Sequence, residues 1–203
     1  MYTTDVLKKR MIDGAYDAEL TRLYPAGTID AQRKRYCRVI GEFEEFYGEG
    51  REAGLFSAPG RTEIGGNHTD HNHGRVLAAS VNLDAIAVAA KSEGTVVNVK
   101  SEGYAMDTVD ISDLKPHEKE FGKSRALVRG VCSEFKRRGY NVGAFDATTA
   151  SDVLSGSGLS SSAAFEVLLG TIVNHLFNDG KVSDVEIAQI CLLYTSPSPR
   201  DRG

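Results

Sequence analysis

The chain has 203 residues, with 24 basic and 28 acidic side chains and a net charge of −4. Its 41% share of hydrophobic residues is typical of a globular protein and argues against wholesale disorder, while the acidic balance argues against a chain-wide electrostatic contact with nucleic acid. No stretch approaches the roughly 20 apolar residues that a membrane-spanning helix needs, and the first residues lack the apolar core of a secretory signal. The three cysteines have no metal-ligand spacing. We therefore predict a cytoplasmic protein with no membrane or nucleic-acid partner, and no protein partner is indicated.

The N-terminal quarter of the chain has the alternation of polar and apolar positions that helices show. Between residues 31 and 47, Tyr36, Ile40 and Phe43 recur at intervals of three or four positions, which puts them on one face of a helix. A glycine that follows is a suitable end for that helix. We predict that residues 1–50 form a helical segment that leads into the following domain.

The rest of the chain alternates strand and helix patterns. The run from Val76 to Lys91 is apolar with few breaks, as in a strand that is buried on both faces. Shorter runs with strand character and longer stretches with helix character follow. The predicted strands cover 95–100, 107–111 and 145–154, and the predicted helices cover 121–138, 163–177 and the residues from Ser183 onward.

A segment rich in glycine and serine, Ser155 to Ser162, lies between a predicted strand and a predicted helix. Glycine lets the backbone approach a ligand closely, and the free amides at a helix start favour an anion such as phosphate. The hydroxyls of Ser160, Ser161 and Ser162 are oxygen ligands of the kind that Mg²⁺ prefers. Taken alone, the segment is also compatible with a flexible turn.

Two other phosphate-binding motifs fail on residue identity. A dinucleotide-binding fingerprint needs a third glycine where this chain has Ser161. A Walker A loop needs a glycine ahead of Gly-Lys-Ser, and the one such triplet in the sequence, Gly122 to Ser124, has His117 at that position. The glycine-serine segment therefore follows neither pattern.

A second concentration of polar residues, Gly60 to Gly74, is predicted to be a loop. Asn67 and Asp70 could hydrogen-bond several hydroxyls of a sugar at once, and Arg61 could neutralise charge that develops on a phosphate. The histidines of this loop match no zinc-ligand spacing, so a metal site is the weaker interpretation. A solvated polar loop is the remaining alternative.

Together, the two segments resemble a known family. Residues 57–61 (Ser-Ala-Pro-Gly-Arg) followed by 66–70 (Gly-Asn-His-Thr-Asp) resemble the galactokinase signature, and residues 155–163 resemble the ATP-phosphate loop of the GHMP kinase superfamily. The resemblance covers roughly residues 20–191. It implies an α+β or α/β fold in which residues 51–191 form a GHMP kinase N-terminal domain, with a ribosomal-protein-S5-domain-2-like β-sheet and packed helices.

The resemblance also implies a function. It points to an ATP-dependent sugar kinase that transfers the γ-phosphate of ATP to the anomeric hydroxyl of galactose, with Mg²⁺ as the metal. It implies that Arg61 is catalytic and lies beside the transferred phosphate, and that Ser161 or Ser162 lies near the metal. The implied sugar contacts are Asn67, His68 and Asp70, and the implied nucleotide contacts are Gly156, Ser157, Gly158, Leu159, Ser160, Ser161 and Ser162.

One departure from the family leaves the substrate open. The family usually has glutamate where this chain has Asn67, so a charged hydrogen-bond acceptor is lost from the sugar site. Two alternatives therefore stay beside the galactose kinase. One is a non-catalytic galactokinase-like regulator that binds sugar and ATP, and the other is a GHMP kinase for another small alcohol.

The end of the chain departs further from the family. Pro197 and Pro199 cannot continue a helix. Thr195 stands where the resemblance places a glutamate that helps to hold Mg²⁺, and the resemblance places an aspartate that acts on the sugar hydroxyl in a later loop. We expect the C-terminal domain to be missing and residues 192–203 to be an aberrant, disordered tail that looks like translated sequencing-adapter read-through.

We expect the 203-residue polypeptide to have negligible galactose kinase turnover. The reason is that the glutamate and the aspartate that the resemblance implies are not present in these residues. An acid–base group and an electrostatic stabiliser each contribute about 10²- to 10⁴-fold to the rate of such a reaction. A coupled assay of galactose-dependent ADP release measures this turnover. A rate of about 1 s⁻¹ or faster, as in ordinary enzymes, would show that the two acidic residues are not needed.

Overall fold

The structure is a computed structural model that describes residues 1–66, 75–153 and 158–195, with the last four of these as backbone only. Within these ranges the chain forms six strands and six longer helices, and a short 3₁₀-helix spans Glu118–Glu120. The strands are β1 (Tyr2–Thr3), β2 (Glu52–Gly65), β3 (Leu77–Lys91), β4 (Val96–Ser101), β5 (Asp107–Asp110) and β6 (Phe145–Ser151). The helices are α1 (Thr4–Ile12), α2 (Asp17–Leu23), α3 (Ile29–Tyr47), α4 (Ser124–Arg137), α5 (Ser161–Phe177) and α6 (Asp184–Thr195).

The strands form one mixed sheet in the order β1-β2-β3-β6-β4-β5. The pairs β1–β2, β2–β3, β3–β6 and β4–β5 are antiparallel, whereas β4 and β6 are parallel. Parallel strands such as β4 and β6 need a crossover connection, and β5 and α4 lie in the stretch of chain that connects them. The predicted combination of a β-sheet with packed helices is confirmed.

Helices cover both faces of the sheet, which explains the continuous apolar run in β3. Ala85, Ala87 and Ala89 pack toward α4, α5 and α6, while Ile86 and Val88 pack toward α1, α2 and α3. Because successive side chains of a strand point to opposite faces, helices on both sides bury every residue of β3 from 84 to 90. The prediction of a strand buried on both faces is confirmed for this half.

The first half of β3 differs from that prediction. Leu77 is 61% exposed and Leu83 is 39% exposed, although both lie in the apolar run. Within the described residues β6 pairs with β3 only from Ala85 onward, so the first half of β3 pairs with β2 and extends beyond the helices. Hydrophobicity along the sequence indicates a strand but does not tell which neighbouring element covers it.

The predicted loop from Gly60 to Gly74 is wrong for its first part. Residues 60–65 belong to β2, with Arg61 opposite Ser80 and Glu63 opposite Ala78 on β3. The register of this pairing shifts between Pro59 and Arg61 and again between Glu63 and Gly65. Residues 67–74 lie outside the described part of the chain.

Several element ends also differ from the predictions. Helix α4 starts at Ser124 rather than at 121, because the preceding Lys123 has an extended backbone with φ −115° and ψ 157°. Strand β6 ends at Ser151 rather than at 154. In the parts of the chain that are described, no helix is long and apolar enough to cross a membrane.

A buried carboxylate joins α4 to α6. The side chain of Glu134 is 1% exposed and accepts hydrogen bonds from Arg137 at 2.6 Å and from Arg138 at 2.8 Å. Arg138 also reaches Glu186 on α6 at 3.6 Å. Hydrogen bonds from the two guanidinium groups, of which that from Arg137 has the largest effect, lower the pKa of Glu134 from 4.5 to about 2.

This pKa predicts how stability depends on pH. The folded-state pKa is depressed, so the stabilisation from ionised Glu134 is present above about pH 4.5 and is lost as the pH falls toward 2. We expect Glu134→Gln to lower the free energy of unfolding by roughly 1–3 kcal/mol at pH 7. The difference from the wild type should shrink between pH 4.5 and 2 in urea titrations. The exposed Glu45→Gln is the control, and a difference for Glu134→Gln that does not change with pH would contradict the account.

Candidate functional site

The outer part of β2 lies against the segment that precedes α5. The backbone N–H of Arg61 donates to the carbonyl of Leu159 at 3.1 Å. The side chain of Arg61 donates from Nε to Oγ of Ser160 at 3.3 Å. The structure therefore brings together one residue from each of the two segments that the sequence singled out.

The turn into α5 leaves the start of this helix open. Gly158 and Ser160 both have positive φ, at 77° and 57°, and Ser160 is the residue immediately before the helix. The first intrahelical hydrogen bond runs from the N–H of Ala164 to the carbonyl of Ser160 at 3.0 Å. In the described part of the chain, no side chain caps the first turn. The amides of residues 161–163 thus lie at the positive end of a 17-residue helix, where an anion is stabilised.

Gly60 permits the close approach between β2 and this turn. A Cβ atom at Gly60 would lie 3.1 Å from the carbonyl oxygen of Leu159 and 3.0 Å from Cγ2 of Val153. Both distances are shorter than ordinary van der Waals contacts, and a backbone oxygen cannot rotate away as a side chain can. A larger residue would push Arg61 and the turn apart.

A cavity of about 640 Å³ opens beside the first turn of α5. This volume lies within the range of pockets that hold small organic ligands. Ser162 of α5 lines one side, and the segment from β5 through α4 supplies the rest. The lining residues are Leu114, Pro116, His117, Glu120, Phe121, Gly122, Lys123, Ser124, Ala126, Leu127, Arg129, Gly130 and Ser162.

The charges of Arg129 and Glu120 in this cavity neutralise each other. Arg129 donates to both carboxylate oxygens of Glu120, at 2.7 and 2.8 Å, and also to the backbone carbonyls of Asp110 and Asp113. These hydrogen bonds lower the pKa of Glu120 and raise that of Arg129. The Glu120–Arg129 pair therefore adds no net charge to the cavity, and the cationic side chain of Lys123 also lines it.

The described residues also limit the kind of metal site that can form here. Among them, no group of three or more His, Cys, Asp and Glu could hold a metal ion. Ser161 and Ser162, at the start of α5, are hydroxyl ligands next to the anion position. Such ligands fit Mg²⁺ that arrives with a nucleotide's phosphates and keeps several waters.

The predicted site residues fall into two groups. Arg61, Gly158, Leu159, Ser160, Ser161 and Ser162 are described and lie together around the start of α5. Asn67, His68, Asp70, Gly156 and Ser157 lie outside the described residues. The sequence analysis missed the cavity walls, although the rejected Gly122 to Ser124 triplet marks a second helix start that faces the same cavity.

Comparisons with known proteins match both segments. Residues 126–196 match the family described as GHMP kinases N terminal domain. Residues 41–91 match the family described as galactokinase galactose-binding signature. The two matches therefore cover most of α4, the turn before α5, α5 and α6, and the β2–β3 hairpin.

The curated relatives that this chain matches include several galactokinases. A galactokinase of Clostridium tetani is 35% identical over 150 residues, which are 73% of this chain and 38% of that protein. A galactokinase of Lactococcus lactis is 34% identical over 139 residues, which are 68% of this chain and 35% of that protein. The chain thus spans little more than a third of the length of these relatives.

Solved structures support the same assignment. The crystal structure of Lactococcus lactis galactokinase complexed with galactose has a TM-score of 0.67 and 28% identity, and the match covers 74% of this chain and 39% of that one. Methanococcus jannaschii mevalonate kinase has a TM-score of 0.57 and covers 69% of this chain and 45% of that one, but at 14% identity it supports the fold alone.

The fold and the family match over residues 126–196 identify the N-terminal domain of a GHMP kinase. Within this class, three findings point to galactokinases. They are the signature that matches the β2–β3 hairpin, the curated relatives and the galactose-complexed structure. The chain belongs to the galactokinase family of the GHMP kinases.

The close approach at Gly60 predicts a local steric effect. We expect Gly60→Ala to lower the free energy of unfolding by about 1–3 kcal/mol, the usual cost of overpacking. Gly65→Ala on the same strand is the matched control, because a Cβ there meets no atom within 4 Å. Urea titrations of both variants measure the difference. Equal effects of the two substitutions would show that β2 and the turn are not tightly packed.

Proposed function

We propose that this chain supplies the nucleotide- and sugar-binding half of an ATP-dependent kinase that phosphorylates galactose at its anomeric hydroxyl. The observation that carries the proposal is the contact between Arg61 and Ser160 at the open start of α5. A phosphate held at this helix start would have a cationic side chain on one side and a cavity on the other.

The phosphates of ATP would bind at the turn into α5. The amides of residues 161–163 offer donors at the positive end of the helix dipole. The positive φ values of Gly158 and Ser160 support this role, because they turn the backbone into a helix whose first turn has no side-chain cap from any described residue. Gly156 and Ser157 would extend the same contact toward the strand.

The nucleoside would occupy the cavity that Ser162 borders. Leu114, Phe121 and Leu127 supply apolar surface for a base, and the Glu120–Arg129 pair adds no net charge. A base is a largely neutral, flat group that suits such a cavity. Its position would orient the phosphate chain along the start of α5.

Mg²⁺ would be held by Ser161 or Ser162 together with phosphate oxygens. When bound, the ion would neutralise charge on the phosphates, as it does in phosphoryl transfer generally. The chain's own contribution is the hydroxyl groups at a fixed helix start and the amides beside them.

The sugar would bind next to Arg61. Asn67, His68 and Asp70 follow the end of β2 directly in the chain, so they start only a few residues from Arg61. Their amide, imidazole and carboxylate groups suit sugar hydroxyls. Arg61 would lie between the sugar and the terminal phosphate, where its charge stabilises the oxygens of the transferred group. The galactose named in the Lactococcus lactis structure supports this choice of sugar.

Binding measurements test the proposal. We expect the wild-type chain to bind MgATP and D-galactose in isothermal titration calorimetry. Arg61→Gln should weaken MgATP binding by about 10- to 100-fold, because a charge-assisted hydrogen bond contributes about 1.5–3 kcal/mol. Arg22→Gln removes an exposed arginine on α2 and is the control for net charge.

Two results would contradict the proposal. The first is a wild-type chain that binds neither ligand at millimolar concentrations. The second is an equal loss of MgATP affinity in Arg61→Gln and Arg22→Gln, which would indicate a nonspecific effect of charge.

A further inference from the structure

We infer that Arg35, on α3, is a positioning residue that sets the place of both the phosphate-binding turn and Arg61. Arg35 touches neither ligand in the proposed site, and neither sequence motif includes it. The inference rests on the proposed function for what the positioned groups bind, but its geometry stands on described residues alone.

Arg35 connects the middle of β3 to the end of the neighbouring strand β6. Its Nη1 donates to Oδ1 of Asp84 at 2.6 Å and lies 3.1 Å from Oδ2 of Asp152. Its Nη2 donates to the carbonyl of Asp84 at 2.9 Å and lies 3.4 Å from that of Ala150. Asp84 is on β3, whereas Ala150 and Asp152 are at the end of β6 where the chain leaves for the glycine-serine segment.

Asp84 extends this connection to β2. Its second oxygen, Oδ2, accepts hydrogen bonds from the hydroxyls of Ser57 and Tyr24, both at 2.5 Å. Asp84 is only 3% exposed and lies opposite Pro59, at the last regular pair before the register shift that precedes Arg61. The cluster therefore fixes β2 immediately before the strand bends toward Ser160.

Both strands then meet again at the proposed site. The chain leaving β6 returns at Leu159 and Ser160, which contact Arg61 at the far side of the bend. Between the cluster and this contact, Val153 packs within 3.0 Å of the Cβ position of Gly60. A displacement of Arg35 would therefore move both partners of the Arg61–Ser160 contact.

The fixed geometry of arginine explains why this position requires it. A guanidinium presents several donors in one rigid plane, whereas the ammonium of lysine is a single point charge on a flexible chain. Lysine could neutralise Asp84, but it could not also hold the carbonyls of Asp84 and Ala150 and the carboxylate of Asp152.

Arg51 provides a matched control at the opposite end of the same strand pair. It donates to Oδ2 of Asp146 on β6 at 2.7 Å and to the carbonyl of Lys91 on β3 at 2.7 Å. Arg51 thus also joins β3 to β6 by one carboxylate and one carbonyl. It does so at the C-terminal end of β3, where Lys91 pairs with Phe145. A general effect of a lost arginine on the fold should appear equally in both variants.

The experiment compares Arg35→Lys and Arg51→Lys in the whole chain. Calorimetry measures the affinities for MgATP and for adenosine, and amide hydrogen exchange measures protection at Ala164 and at Arg61, whose N–H groups donate to the carbonyls of Ser160 and Leu159. We expect Arg35→Lys to weaken MgATP at least 10-fold while adenosine binding changes less than about 2-fold, because the cluster acts on the phosphate end. Exchange at these amides should be at least about 10-fold faster. Arg51→Lys should leave all of these within about 2-fold.

A second variant keeps the test decisive if Arg35→Lys does not fold. Asp152→Asn removes one charge from the more exposed side of the cluster, where the Asp152 side chain is 44% exposed. It should weaken MgATP about 3-fold and speed exchange at the same amides.

The possible results distinguish the positioning role of Arg35 from the proposed function. Wild-type exchange and MgATP affinity in Arg35→Lys, or equal losses in Arg35→Lys and Arg51→Lys, would overturn the inference. A wild-type chain that binds no MgATP would overturn the proposed function instead, and the exchange comparison would still decide the role of Arg35.

Discussion

The site depends on holding the start of α5 in place without capping it. A helix that is to receive phosphate must keep its first amides free, yet free amides provide no anchor for the turn that precedes them. Here the anchor comes from a strand far away in the chain. Arg61 donates once from its backbone to Leu159 and once from its side chain to Ser160. The turn is thus fixed by β2, and Ser162 in the first turn of α5 lines the cavity.

The sheet makes this long-range contact possible. Burial of β3 on both faces fixes the register of its neighbours β2 and β6, because a slip by one residue would reverse the faces of all side chains. Among the described residues, the part of β3 that precedes Ala85 pairs with β2 alone. Ala85 lies opposite Ser151, the last residue of β6, after which the chain continues into the glycine-serine segment. The Arg35–Asp84 ion pair lies at this junction. Buried ion pairs add little net stability in many proteins. The two terminal nitrogens of Arg35 make its contacts with β3 and β6, whereas its buried Nε has no hydrogen-bond partner among the described residues.

The sequence predicted much of this arrangement from local patterns. Helical periodicity located α3, and the apolar run located β3. The glycine and serine composition indicated a turn before α5, and the phosphate-binding role of this turn stays a prediction. These features are local, so a single stretch of sequence contains the information.

The remaining features arise from contacts between distant segments. Residues 60–65 have polar composition typical of a loop but pair as a strand, because backbone pairing with β3 does not depend on apolar side chains. The cavity walls come from residues 114–130 and Ser162, which no single motif connects. The role of Arg35 likewise depends on Asp84 and Asp152, and sequence spacing does not indicate that these three residues meet.

The central claim is that phosphate binds at the open first turn of α5. The most direct measurement is a titration of the ¹⁵N-labelled chain with MgATP, followed by the chemical shifts of its backbone amides. The account predicts that the largest changes occur at residues 158–164 and at Arg61, with smaller changes at the cavity-lining start of α4. Saturable changes that are confined to other regions, with the first turn of α5 unaffected, would contradict it.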